Sequence, residues 1–470
     1  MIILLINTIA GVLFTSCLIF FRKSFYRLVL RSVNLLDAVL SRSGNEEERQ
    51  RLLLSNFVKT ISSYYKFSFF FGLALFVGIL PIILQYKFLG VYLTISFFES
   101  FQFIIPFSVG STLPFLVFNQ FSPKKDYSEL SILIHRMMMD NLNFAQFWFS
   151  VEKFLFIRKR SRLEKDFVVV SGLARCGTTA LTNILYQTKE FHALTYRNVP
   201  GLMSPVLWKL LNFSSKKRQE RSHGDGIMID TNSVEALDEF FWKSTLKDEY
   251  ISDEQLTEHE VSDQHHLDYL KYQSLIRSSK NAMSTYLTKN NNFMLRYKSI
   301  RKMNSEFKVI LMFRDPVDHA LSLQNQHRKH GYLQEQDPFI LEYMNWLGHH
   351  EFGSGQKSFR FPGLQKISSY EKDSLNFWME QWVNYYNYVR QFLNDDNIIL
   401  MDYIDFLSEP HAAVKSIEEH LNMIFSKGHV RQFINRQREM EEAVDPVLAE
   451  KAYSIFAELQ ERKIKLRKAV

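Results

Sequence analysis

A chain of 470 residues is long enough for two or three domains with a sizeable core, which excludes a single small domain. It contains only 2 cysteines, Cys17 and Cys176, so a disulfide framework is not indicated. The net charge of +7 is compatible with nucleic acid, an anionic membrane surface or an anionic substrate, and only its distribution along the chain can decide between them.

Residues 1–125 are predicted to form a membrane anchor with two or three transmembrane helices. Residues 2–21 carry no charge, and a basic cluster at residues 22–31 follows them, whereas a cleaved secretory signal has its basic residues before the apolar stretch. Residues 67–86 form a second uncharged segment. The third, at about 88–121, is interrupted by a glutamate and two prolines, and a buried or interfacial helix pair is the alternative there.

The basic residues also predict the orientation of this anchor. The segment 22–66 is rich in lysine and arginine and is therefore expected to be cytoplasmic. Three crossings then leave the chain after Lys124 in the cytoplasm, and the basic run 158–160 fits that side. We therefore expect a multi-pass protein that has the lipid bilayer as a partner, a cytoplasmic catalytic domain and no nucleic-acid partner.

Residues 126–165 are predicted to be a helical linker and residues 166–470 to be an α/β domain, because short β-branched runs alternate there with helical stretches of mixed charge. Helical insertions are predicted near 200–300 and 330–395. Three apolar runs are typical of strands buried on both faces of a parallel sheet: 167–170, 308–313 and 397–401.

The first of these strands leads into SGLARCGTTAL, residues 171–181, and a helix is predicted to follow over 178–190. Gly172 and Gly177 have the spacing of a phosphate-binding P-loop, but Thr178 stands where such loops have lysine. Backbone N–H groups of such a loop and the positive end of its helix can hold a phosphate. The missing lysine argues against ATP or GTP chemistry, and a purely structural turn is the alternative.

A second phosphate signal follows the strand at 308–313. Arg314 is a fork donor suited to phosphate, and Ser322 follows eight residues later, about two helical turns along a helix. The alternative is structural, since Asp315 and Pro316 are typical of a helix start. The two interpretations are compatible, because a helix cap at Asp315 would fix the direction in which Arg314 points.

With these two motifs the chain resembles the PAPS-dependent sulfotransferases, which move a sulfuryl group from 3′-phosphoadenosine 5′-phosphosulfate (PAPS) to a hydroxyl or amine. FVVVSGLARCGTTAL is similar to their loop for the 5′-phosphosulfate and VILMFRDPVDHALS to their segment for the 3′-phosphate. IILMDYIDFLSEP is similar to their late strand and turn. The resemblance covers roughly residues 165–425, is of bacterial type, and implies a P-loop-like parallel sheet flanked by helices, the sulfotransferase fold.

The resemblance also implies which residues bind the donor. These are Gly172, Arg175, Cys176, Gly177, Thr178 and Thr179 for the 5′-phosphosulfate, with Arg314 and Ser322 for the 3′-phosphate. Arg175 is the candidate catalytic cation, because a fixed positive charge stabilises the charge that develops on the departing nucleotide oxygen. PAPS would be released as adenosine 3′,5′-bisphosphate. No metal is expected to be required, since the sulfuryl group carries less charge than a phosphoryl group.

The general base that takes the acceptor's proton has no clear motif. His223 in SHGDG is the leading catalytic candidate, because the glycines after it favour a tight loop, although an exposed loop histidine is the alternative. Glu239 is the second candidate. Glu235 is interpreted as half of a helix-capping box with Asn232. The triplet at residues 349–351, His-His-Glu, lacks metal-ligand spacing, so no zinc site is predicted.

Three functions remain open on the sequence alone. The first is a membrane-anchored sulfotransferase, and the second is a P-loop-like kinase or NTPase, in which residues 309–315 would be the magnesium-binding strand. The third is a catalytically silent membrane scaffold with a degenerate nucleotide fold. No motif identifies the acceptor, and a lipid or glycan is expected only because an enzyme tied to the bilayer meets membrane substrates at raised effective concentration.

Overall fold

A computed structural model describes the chain over residues 1–41, 46–92, 94–121, 129–157, 163–211, 219–220, 228–229, 232–277, 284–363, 368–426 and 442–466. The chain divides into two compact units, residues 1–144 and 145–470. His223 and the basic run 158–160 lie outside the described residues.

The first unit is helical. Its helices are α1 (Ile2–Leu40), α2 (Glu46–Leu89), α3 (Ile95–Phe98), α4 (Phe101–Phe121) and α5 (Glu129–His135), followed by a π-helical turn at Arg136–Asp140; α6 (Leu142–Glu152) then carries the chain into the second unit. By length and composition, α1 and α2 could each cross a membrane. Their apolar segments are the first two that the sequence predicts, and the third is divided between α3 and α4.

Helices α1 and α4 approach each other closely. Gly11 on α1 faces the backbone of Phe107, and Gly110 on α4 faces the backbone of Thr8. A Cβ atom at either glycine would overlap a carbonyl group of the facing helix. Small residues at such a crossing are typical of helix pairs in membranes, where close van der Waals packing replaces the hydrophobic effect.

The second unit is an α/β domain. After a π-helical turn at Lys153–Ile157, its elements are β1 (Phe167–Ser171), α7 (Thr178–Gln187), β2 (Phe191–His192), α8 (Pro205–Leu211), β3 (Gln219–Glu220), β4 (Met228–Ile229), α9 (Glu239–Leu246), β5 (Gln255–Thr257), α10 (Asp263–Ile276), β6 (Thr285–Lys289), α11 (Tyr297–Met303), β7 (Lys308–Phe313), α12 (Pro316–Gln336), α13 (Pro338–Leu347), β8 (Ser358–Arg360), α14 (Leu375–Val389), β9 (Ile398–Asp402), α15 (Tyr403–Ser408), α16 (Pro410–His420) and α17 (Pro446–Arg462).

The central sheet has five strands in the order β2-β6-β1-β7-β9, and every neighbouring pair is parallel. Strand β1 lies in the middle, with Val170 opposite Lys289 of β6 and Ile310 of β7. Helices flank this sheet, as they do in parallel sheets that are buried on both faces. The predicted α/β class with a parallel sheet is confirmed.

Two of the three predicted strands match β1 and β7, and the third is displaced by one residue to 398–402. The prediction of a helical insertion over 200–300 was wrong at 285–289, because β6 belongs to the central sheet. All five residues of β6 are buried, yet its sequence, TYLTK, has threonine and lysine in place of an apolar run. The hydrophobicity of this sequence therefore does not predict that β6 is buried.

Glu239, the second candidate base, lies in the core at the start of α9 and is only 1% exposed. Its two carboxylate oxygens accept hydrogen bonds from Arg296, at 2.8 and 2.9 Å, and further ones from Asn290 and Tyr250. The Arg296 guanidinium also lies 4.9 Å over the Trp242 ring. A carboxylate with this many fixed partners is a structural anchor, so the structure does not favour Glu239 as the base.

The capping-box interpretation of Glu235 was also wrong. Helix α9 begins four residues after Glu235, and Asp238 occupies its N-cap position. The Glu235 carboxylate instead accepts a hydrogen bond from the Lys289 ammonium at 2.9 Å. The Glu235 side chain is 3% exposed and that of Lys289 is 7% exposed. The sequence-based spacing was correct for a capping box, but the helix does not start where that box requires.

We expect Glu239→Gln to destabilise the protein, because it leaves the Arg296 charge buried without a carboxylate. Breaking a buried pair on one side costs ~3–5 kcal/mol, which should lower the thermal midpoint by roughly 5–10 °C. The measurement is thermal unfolding of the full chain in detergent. Glu260→Gln is the matched control, since its ion pair with Lys302 is exposed, and equal midpoints for the two variants would contradict the structural role of Glu239.

Candidate active site

Four neighbouring strands of the central sheet end at one edge. Strand β1 runs into the loop at 172–177, β6 ends at Lys289, β7 is followed by Arg314, and β9 is followed directly by Tyr403. Because the strands are parallel, their carboxyl ends meet at the same edge, which is where open α/β sheets bind ligands. The polar residues that follow these strands therefore define the candidate site.

The loop after β1 has the strand-loop-helix geometry that the sequence predicts, although α7 ends at Gln187 and not at residue 190. Gly172 and Gly177 have φ angles of +142° and +94°. A Cβ atom on Gly172 would lie 2.5 Å from the carbonyl oxygen of Met312, and one on Gly177 would lie 2.8 Å from the Tyr403 ring. Both positions thus need glycine for the conformation and for the close approach of β7 and Tyr403.

Arg175 lies inside this loop with a φ angle of +74°, which is uncommon for a residue with a side chain. Its Nε atom is 3.4 Å from the hydroxyl oxygen of Ser322 on α12. The resemblance assigns these two residues to opposite ends of the donor, and the fold brings them into contact. The two phosphate motifs therefore form one continuous surface.

Arg314 follows β7 and is only 6% exposed. Its guanidinium lies 4.6 Å over the Tyr403 ring, and Asp318 approaches it no closer than 3.8 Å. Its Nε atom is buried, with no hydrogen-bond partner among the residues that the structure describes. Trp382 donates to the Arg314 backbone carbonyl at 3.2 Å and so fixes the main chain here, while the Tyr403 ring packs against the guanidinium.

Helix α12 fixes both motifs at its N-terminus. The Asp315 carboxylate accepts hydrogen bonds from the backbone N–H groups of Val317 and Asp318, at 3.0 Å each, which confirms the predicted cap. One turn later, His319 Nε2 donates to the carbonyl oxygen of Ala174 in the loop at 2.7 Å. Complete burial, assisted by the charges of Arg314 and Arg175, lowers the pKa of His319 to about 3, so the imidazole is neutral.

Cys176 and the two threonines of the loop are all buried. The Cys176 thiol packs in the core with Ile310 and Met312, and burial raises its pKa to about 12. This thiol is therefore not available to a ligand, and any contribution of Cys176 to donor binding has to come from its backbone N–H. Thr178 and Thr179 begin α7, where the backbone N–H groups have no partner within the helix.

Two residues of this edge, Lys289 and Asn291, escaped the sequence analysis. Lys289 lies opposite Val170, directly before the loop, and its charge partly offsets the effect of burial on the Cys176 thiol. Asn291 Oδ1 lies 3.5 Å from the hydroxyl oxygen of Thr178. The run Lys-Asn-Asn-Asn at 289–292 would have marked them, had β6 been recognised as a strand.

Among the described residues, no group of three or more His, Cys, Asp or Glu side chains is placed to hold a metal ion. The groups gathered at the sheet edge are instead cations, amides, hydroxyls and backbone N–H groups. Such donors fit a ligand with phosphate or sulfate groups.

The chain is similar to several solved bacterial sulfotransferases. One from Mycobacterium tuberculosis H37Rv is 13% identical with a TM-score of 0.38 and coverage of 71% of this chain and 90% of that one. One from Mycobacterium avium is 13% identical (TM-score 0.39; coverage 72% and 79%), and one from Alicyclobacillus acidocaldarius is 14% identical (TM-score 0.31; coverage 64% and 94%). No curated protein sequence matches the chain.

A family model described as "Sulfotransferase domain" matches residues 165–453, which is more than half of the chain. The match contains β1, the glycine loop, Arg314 and Tyr403, the elements that meet at the carboxyl edge of the sheet. The chain belongs to the sulfotransferase family.

Proposed function

We propose that this sulfotransferase takes its sulfuryl group from PAPS and transfers it to a hydroxyl or amine. The observation that carries the proposal is the buried Arg314, whose acidic neighbour Asp318 is half-exposed and 3.8 Å away, next to a glycine loop that lacks the P-loop lysine. A nucleotide with phosphate groups at both its 3′ and 5′ positions would engage both features. The kinase alternative lacks support, since Thr178 replaces the lysine and is buried.

The residues present fit this donor. The loop at 172–177 and the first N–H groups of α7 would hold the 5′-phosphosulfate, and Arg314 and Ser322 would hold the 3′-phosphate. When bound, PAPS supplies an activated sulfuryl group. Arg175 is the cation inside the loop, where it would stabilise negative charge on the departing oxygen as magnesium does in kinases. Lys289, the other cation near the loop, is already compensated by Glu235.

Arg314 and Arg175 should differ when each is replaced by alanine, because only Arg175 is assigned to the reacting end of the donor. Charge-assisted hydrogen bonds are worth ~1.5–3 kcal/mol, so Arg314→Ala should weaken binding of adenosine 3′,5′-bisphosphate about ten- to a hundredfold. Arg175→Ala should instead lower kcat more than nucleotide affinity, and Arg175→Lys should restore part of the rate. Calorimetry and single-turnover transfer, with and without magnesium, measure the two effects.

The control for both variants is Arg360→Ala, because Arg360 is an exposed arginine on β8. We expect it to leave affinity and rate unchanged, and we expect a chelator to change little in any of these proteins. Tight ATP binding that requires magnesium, with no preference for the 3′-phosphorylated nucleotide, would contradict the proposed donor.

The buried hydrogen bond between His319 and the Ala174 carbonyl of the loop predicts that the stability of the fold depends on pH. The folded pKa of His319, about 3, is below the value of 6.5 expected for an unfolded chain, so only the unfolded chain binds a proton between these values. The stability due to this histidine is complete above pH 6.5 and falls with pH, by about 2 kcal/mol between pH 7 and pH 5. Thermal unfolding at both pH values should show a smaller loss for His319→Gln, which keeps a donor for Ala174. An equal loss in the two proteins would contradict a buried, neutral His319.

We also propose that the first unit is a three-helix membrane anchor and that the catalytic unit is cytoplasmic. Helix α4 is uncharged over its 21 residues, long enough to cross a bilayer of about 30 Å. Asn7, near the start of α1, donates to the Gln102 carbonyl at 2.9 Å, while Arg22, after the first apolar segment, pairs with Glu129 at 2.6 Å. The two helices therefore run in the same direction, which supports three crossings over two.

Reporter fusions test this topology at three points. Fusions after Arg31 and after Lys125 should report the cytoplasm, and a fusion near Lys87 should report the outside, because basic segments stay cytoplasmic. The control is a fusion at the N-terminus, which should report the outside. An external reporter after Lys125 would contradict the cytoplasmic catalytic unit and would separate the enzyme from a cytoplasmic donor.

Attachment to the membrane indicates the chemical class of the acceptor. An enzyme tied to the bilayer meets membrane substrates at raised effective concentration, so we propose a lipid or glycan acceptor. The experiment is incubation of the protein with labelled PAPS and with lipid, glycan and small-molecule extracts of membranes. Label that appears only in soluble small molecules would contradict a membrane acceptor.

A further inference from the structure

The segment between α13 and β8 meets the active-site edge through Glu351. Asn291, which follows β6, donates from Nδ2 to Glu351 Oε1 at 3.1 Å. The other end of the same amide, Oδ1, lies 3.5 Å from the Thr178 hydroxyl at the start of α7. One side chain thus separates the Glu351 carboxylate from the helix that closes the glycine loop.

This segment is fastened to the domain on both sides of Glu351. Gly348 allows the turn after α13 with a φ angle of +74°. Three hydrogen bonds hold the segment: Asn292 Nδ2 to the Gly348 carbonyl at 3.3 Å, His349 Nε2 to the Ala236 carbonyl at 2.8 Å, and Ser354 N to Gln334 Oε1 at 2.8 Å. Because these bonds fix the segment that contains Glu351, its carboxylate has a defined position relative to the glycine loop.

Three glutamates approach the carboxyl end of β6, and they differ in what their oxygens already bind. Glu239 is locked by Arg296 and is 1% exposed, and Glu235 is paired with Lys289 and is 3% exposed. Glu351 is only partly buried and has an amide, not a cation, as its partner. Because Glu239 and Glu235 are each held by a buried cation, Glu351 is the carboxylate of the three that an acceptor can still approach.

We propose that Glu351 is the general base that accepts the proton of the acceptor hydroxyl, an inference that rests on the proposed sulfuryl transfer. As the acceptor oxygen forms its bond to sulfur, its proton passes to the Glu351 carboxylate. The bond between sulfur and the departing phosphate oxygen breaks, and that oxygen keeps the electron pair beside Arg175. The protonated Glu351 then returns its proton to water. Asn291 is the positioning residue that aims the carboxylate at the loop.

A general base speeds the reaction only for acceptors that are protonated at the working pH. Comparing two acceptors that differ in this respect therefore separates a catalytic role of Glu351 from a structural one. 4-Nitrophenol ionises near neutral pH and needs little help, whereas a primary alcohol keeps its proton. Loss of a general base costs ~10²–10⁴-fold in rate. We therefore expect Glu351→Gln in the full chain to lower transfer to the alcohol by that factor and transfer to 4-nitrophenol by about tenfold or less.

The glutamine variant keeps an oxygen for Asn291, so it should bind adenosine 3′,5′-bisphosphate as the wild-type protein does. Glu351→Asp should recover part of the rate with the alcohol, and Glu335→Gln, at an exposed position on α12, is the matched control that should match the wild type. Equal loss with both acceptors, or an unchanged rate with the alcohol, would overturn the role of Glu351 alone. A wild-type protein that does not bind the bisphosphate would overturn the donor proposal and this inference together.

Discussion

The shape of the glycine loop is the constraint on which the active site depends. A loop with three residues at positive φ does not hold its conformation alone, and here His319 donates to its Ala174 carbonyl while the Tyr403 ring packs against Gly177. These neighbours come from α12 and from the start of α15, so the conformation of the loop is fixed by two other segments of the chain. Since α12 also carries Ser322, which lies against Arg175, the same packing aligns the sites assigned to the two ends of the donor.

The parallel sheet makes this alignment possible. Strand β1 lies between β6 and β7, so the residues that follow these two strands, Lys289 and Arg314, reach the loop from opposite sides. Chain order alone would not reveal this, because β6 and β7 come more than a hundred residues after β1. The long helical segments between them serve to return the chain to the correct side of the sheet.

The strands β1 and β7 were predictable because they are continuous apolar runs, and the loop and the Asp315 cap were predictable because their residue types have narrow structural uses. Strand β6 was not, since Thr285 and Lys289 are buried through partners that lie far away in sequence, such as Glu235. The same reason explains why the sequence did not reveal the role of Glu239. It was chosen as a candidate base from its place in the sequence, but Arg296, which pairs with it, is 57 residues distant.

The pairing of the buried charges indicates where the ligand belongs. Arg296 has Glu239 and Lys289 has Glu235, each pair with an oxygen within 3 Å of a nitrogen, so both cations are compensated inside the fold. Arg314 is also buried, but its acidic neighbour Asp318 is half-exposed and 3.8 Å away. Burying a cation without a close counter-charge is costly, and such a site is retained where an anion completes it. The difference between Arg314 and Arg296 therefore separates a binding cation from a structural one, although both follow strands of the same sheet and both stack on an aromatic ring.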